Sequence, residues 1–249
     1  MTSTELKGQG SPTQSKSKVG VITITYNNPD LLIHQHRCVS RFLTDDHSLI
    51  VVDNSSDKQK ADAIKYHAES LGLEYIRTSA SSHGGSESHA FAANVAYMRY
   101  SGKFDYLFFI DHDCFPVKEF SVAEILKGKK IAGIGQAKNG YTYMWPGCVM
   151  WSEILVNRSI VDFSVNQDLV LDTGGELRHI IDTCSADQVA YFDEVYEQNP
   201  GFNKTMYNFY TMINNGTFMH FINGSNWNTT EGNEERLNSL INVLIEKTK

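Results

Sequence analysis

Four apolar runs rich in β-branched and aromatic residues recur along the first half of this chain: "VGVITITY" (19–26), "SLIVVDN" (48–54), "LEYIRT" (73–78) and "DYLFFID" (105–111). Segments with helical spacing separate them. Pro29 suits the first turn of a helix running to about Phe42, where its missing N–H would be unpaired anyway. Residues 57–71 place Ala61, Ile64 and His67 on one side, and "ESHAFAANVAYMRY" (87–100) follows the break at Gly84-Gly85. Strands apolar along their whole length need cover on both faces. Strand–helix alternation supplies it as a mostly parallel sheet with helices on both sides, so the expected fold class is α/β.

The second half has a different texture. "KKIAGIGQ" (129–136) and "TYMWPGCVMWS" (142–152) read as strands and turns, and residues 176–196 as holding a helix around Ala186 to Tyr196. Residues 199–230 read as loop with short strands. "NEERLNSLINVLIEK" (233–247) carries Leu237, Leu240, Ile241 and Leu244 at i, i+3, i+4 and i+7, an amphipathic helix. Its polar face is not strongly basic, which favours packing on the domain over a membrane surface. Residues 1–18 are polar, with the composition of a mobile tail, and 19–249 are expected to form one domain.

At 41% hydrophobic residues, a chain of 249 can build a real core. Its net charge of −7 argues against a nucleic-acid partner, which calls for excess Lys and Arg. Cys38, Cys114, Cys148 and Cys184 form no C-x-x-C and read as reduced thiols of a cytoplasmic protein. No apolar run approaches the roughly 18 residues of a membrane span, although peripheral association stays open.

In an open α/β sheet, ligands bind beyond the carboxyl ends of the strands. Three such ends carry polar residues here: Thr25-Tyr26-Asn27, Asp53-Asn54 and Asp111-His112-Asp113. A lone Asp after a strand is ordinary turn or cap chemistry. Two separated by one residue are more specific, because their repulsion needs an offset. A divalent cation is the usual one, oxygen ligands suit Mg²⁺ or Mn²⁺, and the ion would hold phosphates. His112 between them reads as a packing or hydrogen-bonding residue.

The order "ITITYNNPDLL…SLIVVDNSSD", then "SESHAFAANVAYMR…DYLFFIDHDCFP", resembles the family 2 glycosyltransferases of GT-A (Rossmann-like) fold over about residues 19–116. The resemblance implies a nucleotide-sugar-binding half at 19–116 and a smaller acceptor-side, catalytic half at 117–249. It implies Thr25, Tyr26 and Asn27 near the nucleoside, Asp53 on the base or ribose, and Asp111 and Asp113 on the ribose and the metal-diphosphate, with Mn²⁺ or Mg²⁺ as cofactor. A UDP-sugar is the expected donor, and a glycan or other hydroxyl-bearing molecule the acceptor.

Family members invert with an Asp or Glu base in an E-D motif, which this sequence lacks. The nearest feature is "LVLDTGGELRH" (169–179), giving Asp172 as candidate base, with Glu176 and Asp187 as alternatives. "DTGG" is also ordinary turn chemistry. In "FMHFINGSNW" (218–227), His220 is a candidate metal or diphosphate contact, with Ser225, Asn226 and Trp227 able to line the same pocket. In "YMWPGCVMW" (143–151), Gly147 could let the chain pass near the donor sugar, and Trp145 and Trp151 offer a sugar-stacking face or core packing. Two other readings stand beside this one. A nucleotidyltransferase would want a basic, Gly-rich loop after the first strand, where "TYNNPDLL" stands instead. A nucleotide- or carbohydrate-binding module without turnover would keep the same carboxylates.

Overall fold

The structure is a computed structural model that describes residues 18–78, 85–199, 209–222, 224 and 233–249. The expected tail therefore lies outside the described residues, save Lys18. The elements in chain order are β1 (Lys18–Thr25), α1 (Pro29–Phe42), β2 (Asp46–Asp53), α2 (Lys58–Ser70), β3 (Glu74–Arg77), α3 (Gly85–Tyr100), β4 (Tyr106–Asp111) and β5 (Cys114–Pro116). There follow α4 (Val122–Ile125), β6 (Ile131–Lys138), β7 (Tyr141–Ser152), α5 (Arg178–Asp182), β8 (Val189–Tyr191), β9 (Glu194–Gln198), β10 (Phe209–Ile213), β11 (Phe218–Phe221) and α6 (Asn233–Lys247).

Seven strands form the main sheet in the order β3-β2-β1-β4-β7-β6-β8. β3, β2, β1 and β4 run parallel, and β7 is antiparallel to both β4 and β6. The expected α/β class and mostly parallel sheet are therefore observed. Side chains alternate across the sheet, as the pleat requires. Phe108 and Ile110 join one core cluster with α1, α6 and the second sheet. Leu107 and Phe109 join a second, with Ala92, Ala93 and Ala96 of α3. Those alanines let α3 lie close to the sheet. In this second cluster Trp151, fully buried, stacks on Phe109 with ring centroids 5.2 Å apart and planes 15° from parallel. Trp151 is thus core and offers no face to a ligand.

A second, antiparallel sheet has the order β5-β11-β10-β9. Phe218 of β11 anchors it, packing on Phe108 at 5.6 Å, Phe120 at 4.9 Å and Phe192 at 6.1 Å between ring centroids. Each such pair adds about 0.5–1.5 kcal/mol beyond simple burial. The C-terminal helix packs as its pattern predicts, with Leu237, Leu240 and Leu244 buried in the first cluster.

The helix expected around Ala186 to Tyr196 does not form. Ser185 and Gln188 make a capping box over a single 3₁₀ turn, Ala186–Gln188, after which the chain enters β8 and β9. The local signal for a helix start is real. The strand-favouring "VAY" and "EVYEQ" then find edges to pair with: β8 joins β6, and β9 joins β10. Among the described residues no helix is long and apolar enough to cross a membrane.

Candidate active site

The chain leaves the main sheet at Asp111, turns through His112 and Asp113, and enters the second sheet at Cys114. Two neighbours set the shape of this turn. Gln35 of α1, fully buried, donates its amide to Asp111 O at 2.7 Å and to Cys114 O at 2.9 Å. His112, 2% exposed, donates from Nδ1 to Ile24 O at 2.9 Å, so β1 holds the turn from the other side. His112 is the hydrogen-bonding residue its place suggested. Gln35 carried no sequence signal, because its function depends on where α1 crosses the end of β4.

The two carboxylates face different imidazoles. Asp111 Oδ1 meets His89 Nε2 of α3 at 2.7 Å, with side chains 19% and 24% exposed. Burial is the largest influence on both groups and opposes their charges. The mutual attraction and hydrogen bond outweigh it, so the His89 imidazolium is held above its ordinary range and the Asp111 carboxyl below its own. Asp113, in contrast, has Oδ1 3.8 Å from His220 Nε2. That is beyond hydrogen-bond range, but two metal–ligand bonds of about 2.1 Å can span it. Register brings them together, since β11 pairs His220 with Cys114, the residue after Asp113. His220 Nδ1 lies 3.2 Å from Thr211 Oγ1, and its ring 4.7 Å from that of Trp145. Gly224 closes over the same aspartate: a Cβ there would stand 2.6 Å from Asp113 Cβ.

Among the described residues no three His, Cys, Asp or Glu side chains converge as a complete metal cage. Mg²⁺-type sites do not need one, since one or two protein ligands and substrate phosphates suffice. Asp113 with His220 fits that design, and the imidazole favours Mn²⁺ over Mg²⁺. Asp111, expected beside them as a ligand, has its Oδ1 hydrogen-bonded to His89.

At the end of β1, Thr25 is buried, Tyr26 Oη lies 2.9 Å from Ser56 Oγ, and Asn27 takes the left-handed region at φ 50°. Asn27 Nδ2 donates to Ser56 Oγ at 3.0 Å, and its Oδ1 accepts from Asp57 N at 3.0 Å. These contacts tie the first and second strand ends into one rim. Asp53 is fully buried. Its Oδ1 accepts from Ser55 N and Oγ at 2.9 and 2.5 Å, and its Oδ2 from Tyr75 Oη and Arg77 Nη1 at 2.7 and 2.6 Å. With both oxygens saturated it positions Arg77, 38% exposed at the rim, rather than presenting a free carboxylate.

In the second half, Asp172 is exposed, and its Oδ1 accepts from Thr173 N at 2.8 Å. Thr173 Oγ1 donates to Ser86 O at the start of α3, and Asp172 contributes to the negative field at His89. Asp172 therefore lies near the start of α3, the helix that carries His89. Glu176 does not present a free carboxylate: Asn166, Arg178 and His179 engage it. Asp187 sits on the exposed 3₁₀ turn, capped by Ser185. At Gly147, a Cβ would stand 2.1 Å from the Trp145 ring, so the space its bareness leaves is filled by that indole and not by a passing substrate. Gly84, Ser225, Asn226 and Trp227 lie outside the described residues.

No family profile matches the chain, and no curated protein sequence does. Solved structures do. The chain is similar to mannosyltransferase PcManGT from Pyrobaculum calidifontis, solved in complex with GDP-Man and Mn²⁺, with a TM-score of 0.50 at 14% identity. That match covers 72% of this chain and 55% of the other, so the chain spans little more than half of that protein's length. Glucosyl-3-phosphoglycerate synthase from Mycobacterium tuberculosis matches with a TM-score of 0.47 at 16% identity, over 70% of this chain and 69% of that one. With its seven-stranded, mostly parallel sheet and smaller antiparallel partner, the chain has the GT-A glycosyltransferase fold.

Proposed function

We propose that this protein transfers a sugar from a nucleoside diphosphate sugar to a hydroxyl acceptor, in the manner of a family 2 glycosyltransferase. One observation carries the reading: the turn after the central strand β4 holds two carboxylates, Asp111 and Asp113, and His220 of the second sheet faces Asp113 across a gap that a cation can bridge. The mannosyltransferase of the same fold was solved with GDP-Man and Mn²⁺, the ligand classes that such a turn would accept.

In this reading the nucleoside lies along the rim formed by Tyr26, Asn27 and Arg77, with Thr25 buried behind it and Asp53 holding Arg77 in place. UDP is the expected nucleotide. Asp111, oriented by His89, takes the ribose. Asp113 and His220 would hold Mn²⁺ with the diphosphate. When bound, that ion supplies Lewis acidity that offsets charge on the departing nucleoside diphosphate. Asp172 is the candidate base, its carboxylate oriented by Thr173 N–H. It takes the proton as the acceptor oxygen bonds to the anomeric carbon and the bond to the diphosphate breaks. A single displacement of this kind inverts the anomeric centre.

The test is release of nucleoside diphosphate from a panel of UDP-, GDP- and CDP-sugars with Mn²⁺. One donor should turn over, the rate should vanish with chelator, and Asp113→Asn should lower it at least about a hundredfold. Full turnover in chelator, or in Asp113→Asn, refutes the reading.

A further inference from the structure

The expected machinery leaves a cavity beside His220 unexplained. Its volume is about 430 Å³, within the roughly 300–1,000 Å³ of small-molecule sites. Gln136 and Trp145 of the main sheet line one side, and Glu194, Tyr196, Thr211 and His220 of the second sheet the other. Strand register gathers the second group. Tyr196 pairs with Thr211 and Thr211 with His220, so three side chains stand in a row on one face of β9, β10 and β11. Neighbouring strands lie about 4.8 Å apart, which puts Tyr196 about 10 Å from His220. One end of this row touches the proposed donor site, where His220 stands 3.8 Å from Asp113. The other end is open, since Tyr196 is 65% exposed.

The lining has a definite chemistry. Trp145 and Tyr196 offer aromatic faces, which suit the C–H face of a pyranose. Gln136, Glu194 and Thr211 offer the donors and acceptors that ring hydroxyls need. Among the described residues no Lys or Arg lines the cavity. A phosphate- or carboxylate-bearing ligand would thus meet Glu194 with no Lys or Arg side chain to offset the repulsion. The Glu194 carboxylate can accept from sugar hydroxyls.

We propose that this cavity is the acceptor subsite and that it takes a neutral saccharide, stacked on Tyr196 and Trp145 and hydrogen-bonded by Glu194. The assignment rests on the glycosyl-transfer reading and adds the substrate class to it. The open Tyr196 end lets a longer glycan extend into solvent while its terminal ring points toward Asp113.

The test is saturation-transfer NMR on the full chain with Mn²⁺ and whichever of UDP, GDP and CDP it binds. The probes are the methyl glycosides of glucose, galactose, mannose and N-acetylglucosamine, with glucuronate and 3-phosphoglycerate as anionic counterparts. At least one methyl glycoside should receive saturation and the anionic probes should not. Tyr196→Ala and Glu194→Gln should each weaken that binding about tenfold, and Tyr196→Phe should preserve it, while calorimetry shows nucleotide affinity unchanged. Absence of signal from every methyl glycoside, preference for an anionic probe, or indifference to both Tyr196→Ala and Glu194→Gln overturns the proposal. A chain that binds a methyl glycoside but no nucleoside diphosphate overturns the transfer reading, and the acceptor role falls with it.

Discussion

Asp111 and Asp113 are separated by one residue, yet the fold gives them different partners and hence different chemistry. Asp113 faces His220 across an open gap, whereas Asp111 is hydrogen-bonded to His89. The second pair has a consequence for stability. His89 is held above its ordinary 6.5, so its contribution is complete below 6.5 and is lost as pH rises through the raised value. Asp111 is held below its ordinary 3.8, so its contribution is complete above 3.8 and is lost as pH falls through the lowered value. Urea midpoints of the metal-free protein should therefore exceed those of His89→Gln most between pH 3.8 and 6.5, and the gap should narrow on both sides. A gap independent of pH would show that the ion pair contributes nothing. The aspartates and His220 stood out in the sequence as candidates, through a strand-end motif and an aromatic strand before a glycine. His89 was not, because a histidine one turn into a helix has no local signature. Its meaning comes from Asp111, 22 positions away in the chain.

Among the elements, those read best were the ones whose pattern and packing agree. α6 shows apolar residues at helical spacing, and the structure buries them on the domain. Leu240 is fully buried, so Leu240→Ala should cost about 2–5 kcal/mol, read from the shift in urea midpoint at constant slope. A cost within experimental error would mean that α6 is not part of the cooperative core. β8 and β9 are the opposite case. Their residues sit behind a genuine helix-start signal at Ser185, and only the exposed edges of β6 and β10 make strand the better outcome. Tertiary pairing overrode local preference there, as it commonly does for segments of three to five residues.

For the whole molecule, the central fact is that two sheets of different kind meet at one turn. The main sheet brings Asp111 and Asp113 to its rim, and the second brings His220 back to them over a stretch of more than a hundred residues. Phe218 couples the sheets through Phe108, Phe120 and Phe192. Phe218→Ala should cost about 3–5 kcal/mol and should also weaken Mn²⁺ binding, because β11 carries both Phe218 and His220. Loss of stability with an unchanged Mn²⁺ titration would separate the core from the site. Apolar patterning dictated the parallel half of the sheet and its helices, since burial on both faces leaves few arrangements for such strands, and the polar residues at the strand ends marked the acidic rim. Contacts between distant segments settled the rest: the saturation of Asp53, the filling of the Gly147 gap by Trp145, the His89 partnership and the cavity at Tyr196. Local pattern encodes which face of a strand is covered, but which side chains meet depends on register and packing that no short stretch of sequence contains.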